Sequence, residues 1–114
     1  MEDCIFCKIV KGRIPSTKVY EDDFVLAFDD IHPMAPVHVI IIPKVHIPTF
    51  MDVKGDLQDN LTAMVKASIK IAGIKGVDKR GFRVVINYGK EGGQVIFHLH
   101  MHLLGGRRLD DEMG

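Results

Sequence analysis

Apolar and polar residues alternate strictly near the end of the chain, from Phe97 to Leu103. Three histidines, His98, His100 and His102, stand at every second position of this run, with apolar residues between them. Because successive side chains of a β-strand point to opposite faces, the pattern predicts a strand with three imidazoles on one face and an apolar face towards the core. A helix would scatter the imidazoles around its axis. Since half of the six histidines lie here, we interpret the run as a functional site rather than a solvated strand face.

The other apolar patterns predict an α+β fold. Apolar residues recur at helical spacing from Leu57, which predicts one long helix with Asp56 as its N-cap and Gly73 or Gly76 as its stop. A short helix is expected from Cys4 to Lys11. Besides Phe97–Leu104, strands are expected over residues 18–21, 24–28, 38–42 and 84–88. With no repeat or linker, the 114 residues are expected to form a single domain, 1–114.

Charge and hydropathy argue against several classes of partner. Fifteen basic residues balance fifteen acidic ones, so nothing favours a nucleic acid or an anionic membrane as partner. The longest apolar stretch, residues 37–43, is too short to span a bilayer, and the acidic N-terminus is unlike a secretory signal. We therefore expect a cytoplasmic protein without a nucleic-acid or membrane partner.

Both cysteines lie in the motif Cys4-Ile5-Phe6-Cys7. Two thiols at this spacing are typical of half a zinc site, for which histidines would supply the remaining ligands. A redox dithiol of the thioredoxin type would follow a strand, and only three residues precede Cys4. An inert pair of half-buried thiols remains an alternative.

A glycine-rich loop, Gly89-Lys90-Glu91-Gly92-Gly93-Gln94, precedes the histidine run. Its backbone N–H groups would suit an anion, but a hairpin connection could need glycine for its dihedral angles alone. Joined to the histidines and to Asn87, the loop is consistent with a phosphate pocket in which an imidazole attacks phosphorus.

These residues resemble the signature of the histidine triad (HIT) superfamily. The resemblance rests on His98–Leu104, Asn87, Gly93-Gln94 and the following Gly105-Gly106-Arg107, and it covers nearly the whole chain. The Leu-Gly-Gly-Arg ending is more similar to the histidine triad nucleotide-binding proteins than to the diadenosine polyphosphate hydrolases. The resemblance implies a homodimer with a five-stranded antiparallel sheet in each subunit, extended across the dimer, and hydrolysis of purine nucleoside 5′-phosphoramidates.

The same resemblance implies roles for the histidines. His100 would attack the α-phosphorus and form a nucleotidyl-histidine that water then cleaves. His102 would bond a phosphate oxygen, and His38 would support the triad from the neighbouring strand. His98, the first histidine of the triad, would be a zinc ligand together with Cys4, Cys7 and His46 of the Pro-Lys-Val-His segment. Two thiolates and two imidazoles favour a structural ion, so leaving-group protonation would fall to another group or to water.

Further positions match the nucleotide site of the family. Asp30 matches the carboxylate that takes the ribose hydroxyls. The phosphate and leaving-group side would be lined by Asn87, Gly93, Gln94 and Val95. The apolar slot for the base would be formed by Ile5, Phe6, Ile9, Phe28 and Ile31.

Two departures from the family pattern leave alternatives open. Val95 replaces a serine whose hydroxyl would bond the phosphate, and the tail Asp110-Asp111-Glu112 is acidic where eukaryotic relatives end in aromatic residues. Dinucleoside polyphosphate hydrolysis is the enzymatic alternative to phosphoramidate hydrolysis. A nucleotide-binding regulatory module with vestigial turnover is the alternative from another class, suggested by Val95.

Overall fold

The computed structural model describes residues 3–111, so Met1, Glu2 and Glu112 of the acidic tail lie outside the described residues. It has the predicted α+β fold, with one long helix, one short helix and a five-stranded antiparallel sheet. The elements in chain order are α1 (Ile5–Val10), β1 (Lys18–Glu21), β2 (Val25–Asp29), β3 (Val37–Pro43), α2 (Gln58–Ile74), β4 (Phe82–Val85) and β5 (Met101–Gly105).

The sheet has the strand order β1-β2-β3-β5-β4, and every neighbouring pair is antiparallel. Its two faces are covered by different helices. On one face α2 packs Met64 and Ile71 against buried residues of β2, β3 and β5. On the other, Phe6 of α1 packs against Phe28 and Ile40. Because β3 is covered on both faces, its apolar residues form a continuous run, as a strand buried on both sides requires.

Strand β5 is shorter than predicted, and His98 and His100 precede it. The ladder to β3 ends where Met101 pairs with Ile41. Two residues earlier, the N–H of Leu99 donates instead to the carbonyl of Ile47, at 2.6 Å, beyond the end of β3. The alternation of faces nevertheless persists through this segment, since Leu99 and Met101 lie in the α2-side core.

Two other predicted boundaries are wrong. The strand expected over residues 84–88 is β4, Phe82–Val85, whose last paired residue, Val85, lies opposite His102. Asp56 does not cap α2, because it lies inside a short 3₁₀ turn, Gly55–Leu57, that precedes the helix. Within residues 3–111 no helix is both long enough and apolar enough to cross a membrane.

Candidate functional site

Five of the six histidines lie in one row of side chains on the α1 side of the sheet. The ring centroids are 4.9 Å apart for His46 and His98, and 5.1 Å apart for both His100–His102 and His38–His102. Phe6 bridges His98 and His100, with centroid distances of 5.8 and 5.2 Å. The predicted common face for the three triad imidazoles is therefore present, and His38 joins it from β3.

The hydrogen bonds of His100 define its tautomer. Its Nδ1 lies 2.8 Å from the carbonyl oxygen of His98, and a carbonyl can only accept, so Nδ1 carries the proton. Burial lowers the pKa of His100, and the bond to the His98 carbonyl and the charge of Asp30 oppose this only in part. The ring is therefore neutral near pH 7, and Nε2 has a free lone pair.

The opposite tautomer follows for His102. The N–H of Met34 donates to Nδ1 of His38 at 3.1 Å, so the neutral His38 ring has its proton on Nε2. That Nε2 donates to Nδ1 of His102 at 2.9 Å, which leaves the His102 proton on its own Nε2. Burial, followed by the neighbouring rings of His100 and His38, lowers the pKa of His102 to about 4. The lone pair on Nε2 of His100 and the N–H donor on Nε2 of His102 thus belong to neighbouring rings, whose centroids are 5.1 Å apart.

Asp30 lies at the edge of this network. One carboxylate oxygen accepts the N–H of His32 at 2.8 Å, and the other lies 3.4 Å from Nε2 of His38. Burial lowers the pKa of His38, and the charge of Asp30 opposes this. A cavity of about 190 Å³ adjoins the network, lined by Met34, His38, Val85, Asn87, His102 and Leu104. The structure therefore brings Asn87 next to the histidines, as the sequence predicted.

The glycine-rich loop is held closed by Gln94. The buried Gln94 amide accepts the N–H of Gly89 at 3.0 Å and donates to the carbonyls of Pro48 and Ile96 at 2.9 and 3.1 Å. The backbone N–H groups of Gly93 and Gln94 also donate within the loop. These bonds favour the turn interpretation of both residues over an open anion cradle.

Val95 follows the loop and differs from Gln94 in both exposure and bonding. No backbone carbonyl within residues 3–111 accepts its N–H, and its side chain is 86% exposed. Unlike the amides of Gly93 and Gln94, the Val95 amide therefore remains available to a ligand.

The apolar residues assigned to a base slot separate into two groups. Phe6 and Phe28 are buried, with ring centroids 5.8 Å apart, and Ile9 packs against their cluster. Ile31 is 85% exposed and Ile5 is 44% exposed, so both face solvent. The structure thus has a packed cluster that contains Phe6, Phe28 and Ile9, and two exposed isoleucines, Ile5 and Ile31, that lie near it in the sequence.

Cys4, Cys7, His46 and His98 form a second cluster at the other end of the row. Their ligand atoms all lie within 4.8 Å of one another. Nδ1 of His98 is 3.3 Å from Sγ of Cys4 and 3.6 Å from Sγ of Cys7, and Nδ1 of His46 is 3.3 Å from Sγ of Cys7. A tetrahedral zinc ion with ordinary bond lengths requires sulfur–nitrogen separations of about 3.6 Å. The four residues fit such an ion.

The hydrogen bond of His98 prepares it as a ligand. Its Nε2 donates to the carbonyl of Pro43 at 2.9 Å, which leaves the lone pair on Nδ1, facing the sulfurs. Burial lowers the pKa of His98 to about 4 and also lowers that of His46. Burial raises the pKa of the Cys7 thiol, so a bound cation would be needed to keep it as thiolate.

Three functional groups have no side-chain signal in the sequence. They are the N–H of Met34, which orients His38, the carbonyl of Pro43, which orients His98, and the carbonyl of His98, which orients His100. All three belong to the main chain, so any residue except proline could supply the Met34 donor. His32 was the one remaining histidine, and it is exposed outside the row.

Comparisons with known proteins agree with this architecture. The model of the HIT domain family matches residues 11–109. The purine nucleoside phosphoramidase of Escherichia coli (strain K12) is 47% identical over 108 residues, covering 95% of this chain and 91% of that protein. A histidine triad protein from Clostridium difficile superposes with a TM-score of 0.95 at 48% identity, covering 99% of this chain and 98% of the other. A HIT family hydrolase from Legionella pneumophila superposes with a TM-score of 0.94 at 46% identity, covering 98% and 100%. The chain therefore belongs to the HIT domain family.

Proposed function

We propose that this protein is an enzyme that hydrolyses purine nucleoside 5′-phosphoramidates through a covalent nucleotidyl intermediate on His100. The observation that carries the proposal is the pairing of tautomers, with a free lone pair on Nε2 of His100 beside the Nε2–H donor of His102. The similarity to a protein named purine nucleoside phosphoramidase supports this substrate class.

The reaction divides into two displacements at phosphorus. Nε2 of His100 forms a bond to the α-phosphorus, the P–N bond of the substrate breaks, and the amine leaves with a proton taken from water. Water then attacks the nucleotidyl-histidine, releases the nucleoside monophosphate and restores the lone pair. Throughout, Nε2–H of His102 donates to a phosphoryl oxygen, where negative charge develops.

The nucleotide would lie along the exposed side of the row. Asp30, with its partly exposed carboxylate, would accept the ribose hydroxyls. Asn87 and the free amide of Val95 would bond the phosphate, while Gly93 and Gln94 hold the loop in shape. The base would pack on the cluster of Phe6, Phe28 and Ile9 and be covered by the exposed side chains of Ile5 and Ile31.

A zinc ion would be held by Cys4, Cys7, His46 and His98. With all four positions taken by protein ligands, the ion supplies folding energy rather than a reaction step. Free thiols suit a reducing compartment, and we propose a cytoplasmic location accordingly.

We also propose that the protein is a homodimer in which β4 pairs with its copy. β4 lies at the edge of the sheet, so its outer backbone groups face no further strand from residues 3–111. Phe82 and Val84 on this strand are exposed. An apolar edge of this kind favours pairing with another strand.

The test is rapid-quench mass spectrometry with adenosine 5′-phosphoramidate. The parent should accumulate a nucleotidyl adduct on His100, and His100→Asn should lose turnover while nucleotide affinity stays within about tenfold. His32→Asn is the matched control, since its imidazole lies outside the row. Near-parental turnover by His100→Asn would refute the mechanism. Offering a dinucleoside polyphosphate in parallel distinguishes the two hydrolase activities.

A further inference from the structure

The metal cluster and the nucleophile share one residue. The His98 ring faces the two sulfurs, while its main-chain carbonyl accepts the Nδ1 proton of His100. The direction of the His98 ring and the tautomer of His100 are therefore fixed by the same residue.

Phe6 makes a second connection between the two sites. It lies between Cys4 and Cys7 in the sequence, and its buried ring meets the His100 ring edge-on at a centroid distance of 5.2 Å. Cys4 is the N-cap of the six-residue helix α1, and Cys7 lies in its first turn, so the contacts of the two sulfurs help to position the helix. A change at the two sulfurs would therefore move Phe6 relative to the nucleophile.

The two sulfurs are also arranged so that they can join each other. Cys4 is the N-cap of α1, and its Sγ accepts the N–H of Cys7 at 3.4 Å. The sulfurs lie within 4.8 Å of each other, whereas a disulfide requires about 2.0 Å. To form that bond the sulfurs must approach each other, so at least one of them leaves its present position beside the imidazoles. A disulfide also lacks the thiolate charge that holds a metal ion.

We propose that Cys4 and Cys7 form a redox-sensitive modification site that controls the geometry of His100. Oxidation by a peroxide joins the two sulfurs: two thiols and one hydrogen peroxide give one disulfide and two water molecules. The bond removes two of the four ligands, frees the His98 ring from the sulfurs and displaces Phe6. The oxidised protein then holds its nucleophile in a less productive orientation. The activity readout rests on the proposed function, whereas the structural readouts do not.

The experiment compares full-length protein before and after treatment with hydrogen peroxide. Mass spectrometry of the Cys4–Cys7 peptide should register the loss of two hydrogens, and the NMR signals of the His100 ring protons, which the Phe6 ring shifts, should change. The kcat for a phosphoramidate should fall about tenfold, because a displacement of about 1 Å has effects of this size or larger. KM should stay within about twofold, and a dithiol reductant should restore all three values.

The double variant Cys4→Ser/Cys7→Ser is the control, because it keeps every methionine and has no thiol. Its kcat and His100 signals should not respond to peroxide, and an equal loss there would overturn the proposal. If this variant does not fold, reversal by the reductant in the parent makes the same distinction, since methionine oxidation is not reversed by a dithiol. A disulfide that leaves kcat and the His100 signals unchanged would also overturn it. Absence of turnover in the reduced protein, with the NMR change intact, would refute the proposed function and support the switch.

Discussion

Replacing His38 tests whether hydrogen bonds from β3 select the working tautomer of His102. In His38→Leu the N–H of Met34 and Nδ1 of His102 both lose their partner. An unsatisfied buried polar group costs about 1–3 kcal/mol, and the lower end applies to Met34, which solvent can reach. His102 is then free to carry its proton on Nδ1, where the proton cannot serve the phosphate.

The size of the expected decrease in kcat follows from the loss of the N–H donor on Nε2 of His102. Removing one donor to a developing oxyanion costs about 10²–10³ in kcat. Since His102 still adopts the productive tautomer part of the time in His38→Leu, we expect kcat to fall about tenfold to hundredfold, with KM within about threefold. His38→Gln keeps an N–H near the position of Nε2 and should recover most of the loss.

The assay combines steady-state kinetics on a phosphoramidate with ¹⁵N NMR of the imidazoles. In the parent, Nδ1 of His102 should have the chemical shift of an unprotonated nitrogen, and this signature should weaken in the leucine variant. If His38→Leu kept both the parental kcat and the parental His102 spectrum, the hydrogen bonds from Met34 to His38 and from His38 to His102 would not select the tautomer of His102.

Three other outcomes are expected. Burial lowers the pKa of His102 to about 4, so between about pH 4 and 6.5 the folded protein binds fewer protons than the unfolded chain. The free energy of unfolding, measured in urea, should therefore be greatest above pH 6.5 and should decrease as the pH falls towards 4. The decrease should be less steep in His102→Asn. The purified protein should carry about one zinc per subunit, and a chelator should lower its Tm but leave that of His46→Ala nearly unchanged; equal Tm values for zinc-loaded and metal-free parent would contradict a structural ion. We predict that the acidic tail lies near the leaving group and favours substrates whose leaving amine is cationic; Asp111, which pairs with Arg108 on the surface at 2.8 Å, would contribute to this. Asp111→Asn should then lower kcat/KM for a cationic relative to a neutral leaving amine by less than about fivefold, and high salt should abolish the difference.

The alternation of side chains and the bounds of β1 could be predicted from the sequence, but the bounds of β4 and β5 could not. The pattern around His100 correctly separates imidazoles from core residues, because a strand and an extended segment share the same two-residue period. Where the ladder stops depends on a long-range bond, from the N–H of Leu99 to the carbonyl of Ile47. No local pattern encodes that partner.

In the candidate site, the side chains could be predicted from the sequence, whereas the main-chain groups that orient them could not. The Cys4–Cys7 spacing, together with the resemblance, identified four residues that do lie together with the distances of a tetrahedral site. The groups that orient the histidines are main-chain atoms of Met34, Pro43 and His98, which only the folded chain brings into position. The roles of the nucleotide-binding residues remain predictions.

The three hydrogen bonds of the Gln94 side chain have a consequence for how fast a ligand can bind. They join the loop at Gly89 to the carbonyl of Pro48, and these bonds within the protein hold the segment in order. Immobilising a loop upon association costs conformational entropy and slows productive encounters. We expect nucleotide association here to be limited by diffusion and docking rather than by loop closure, with affinity differences among substrates arising mainly in their dissociation rates.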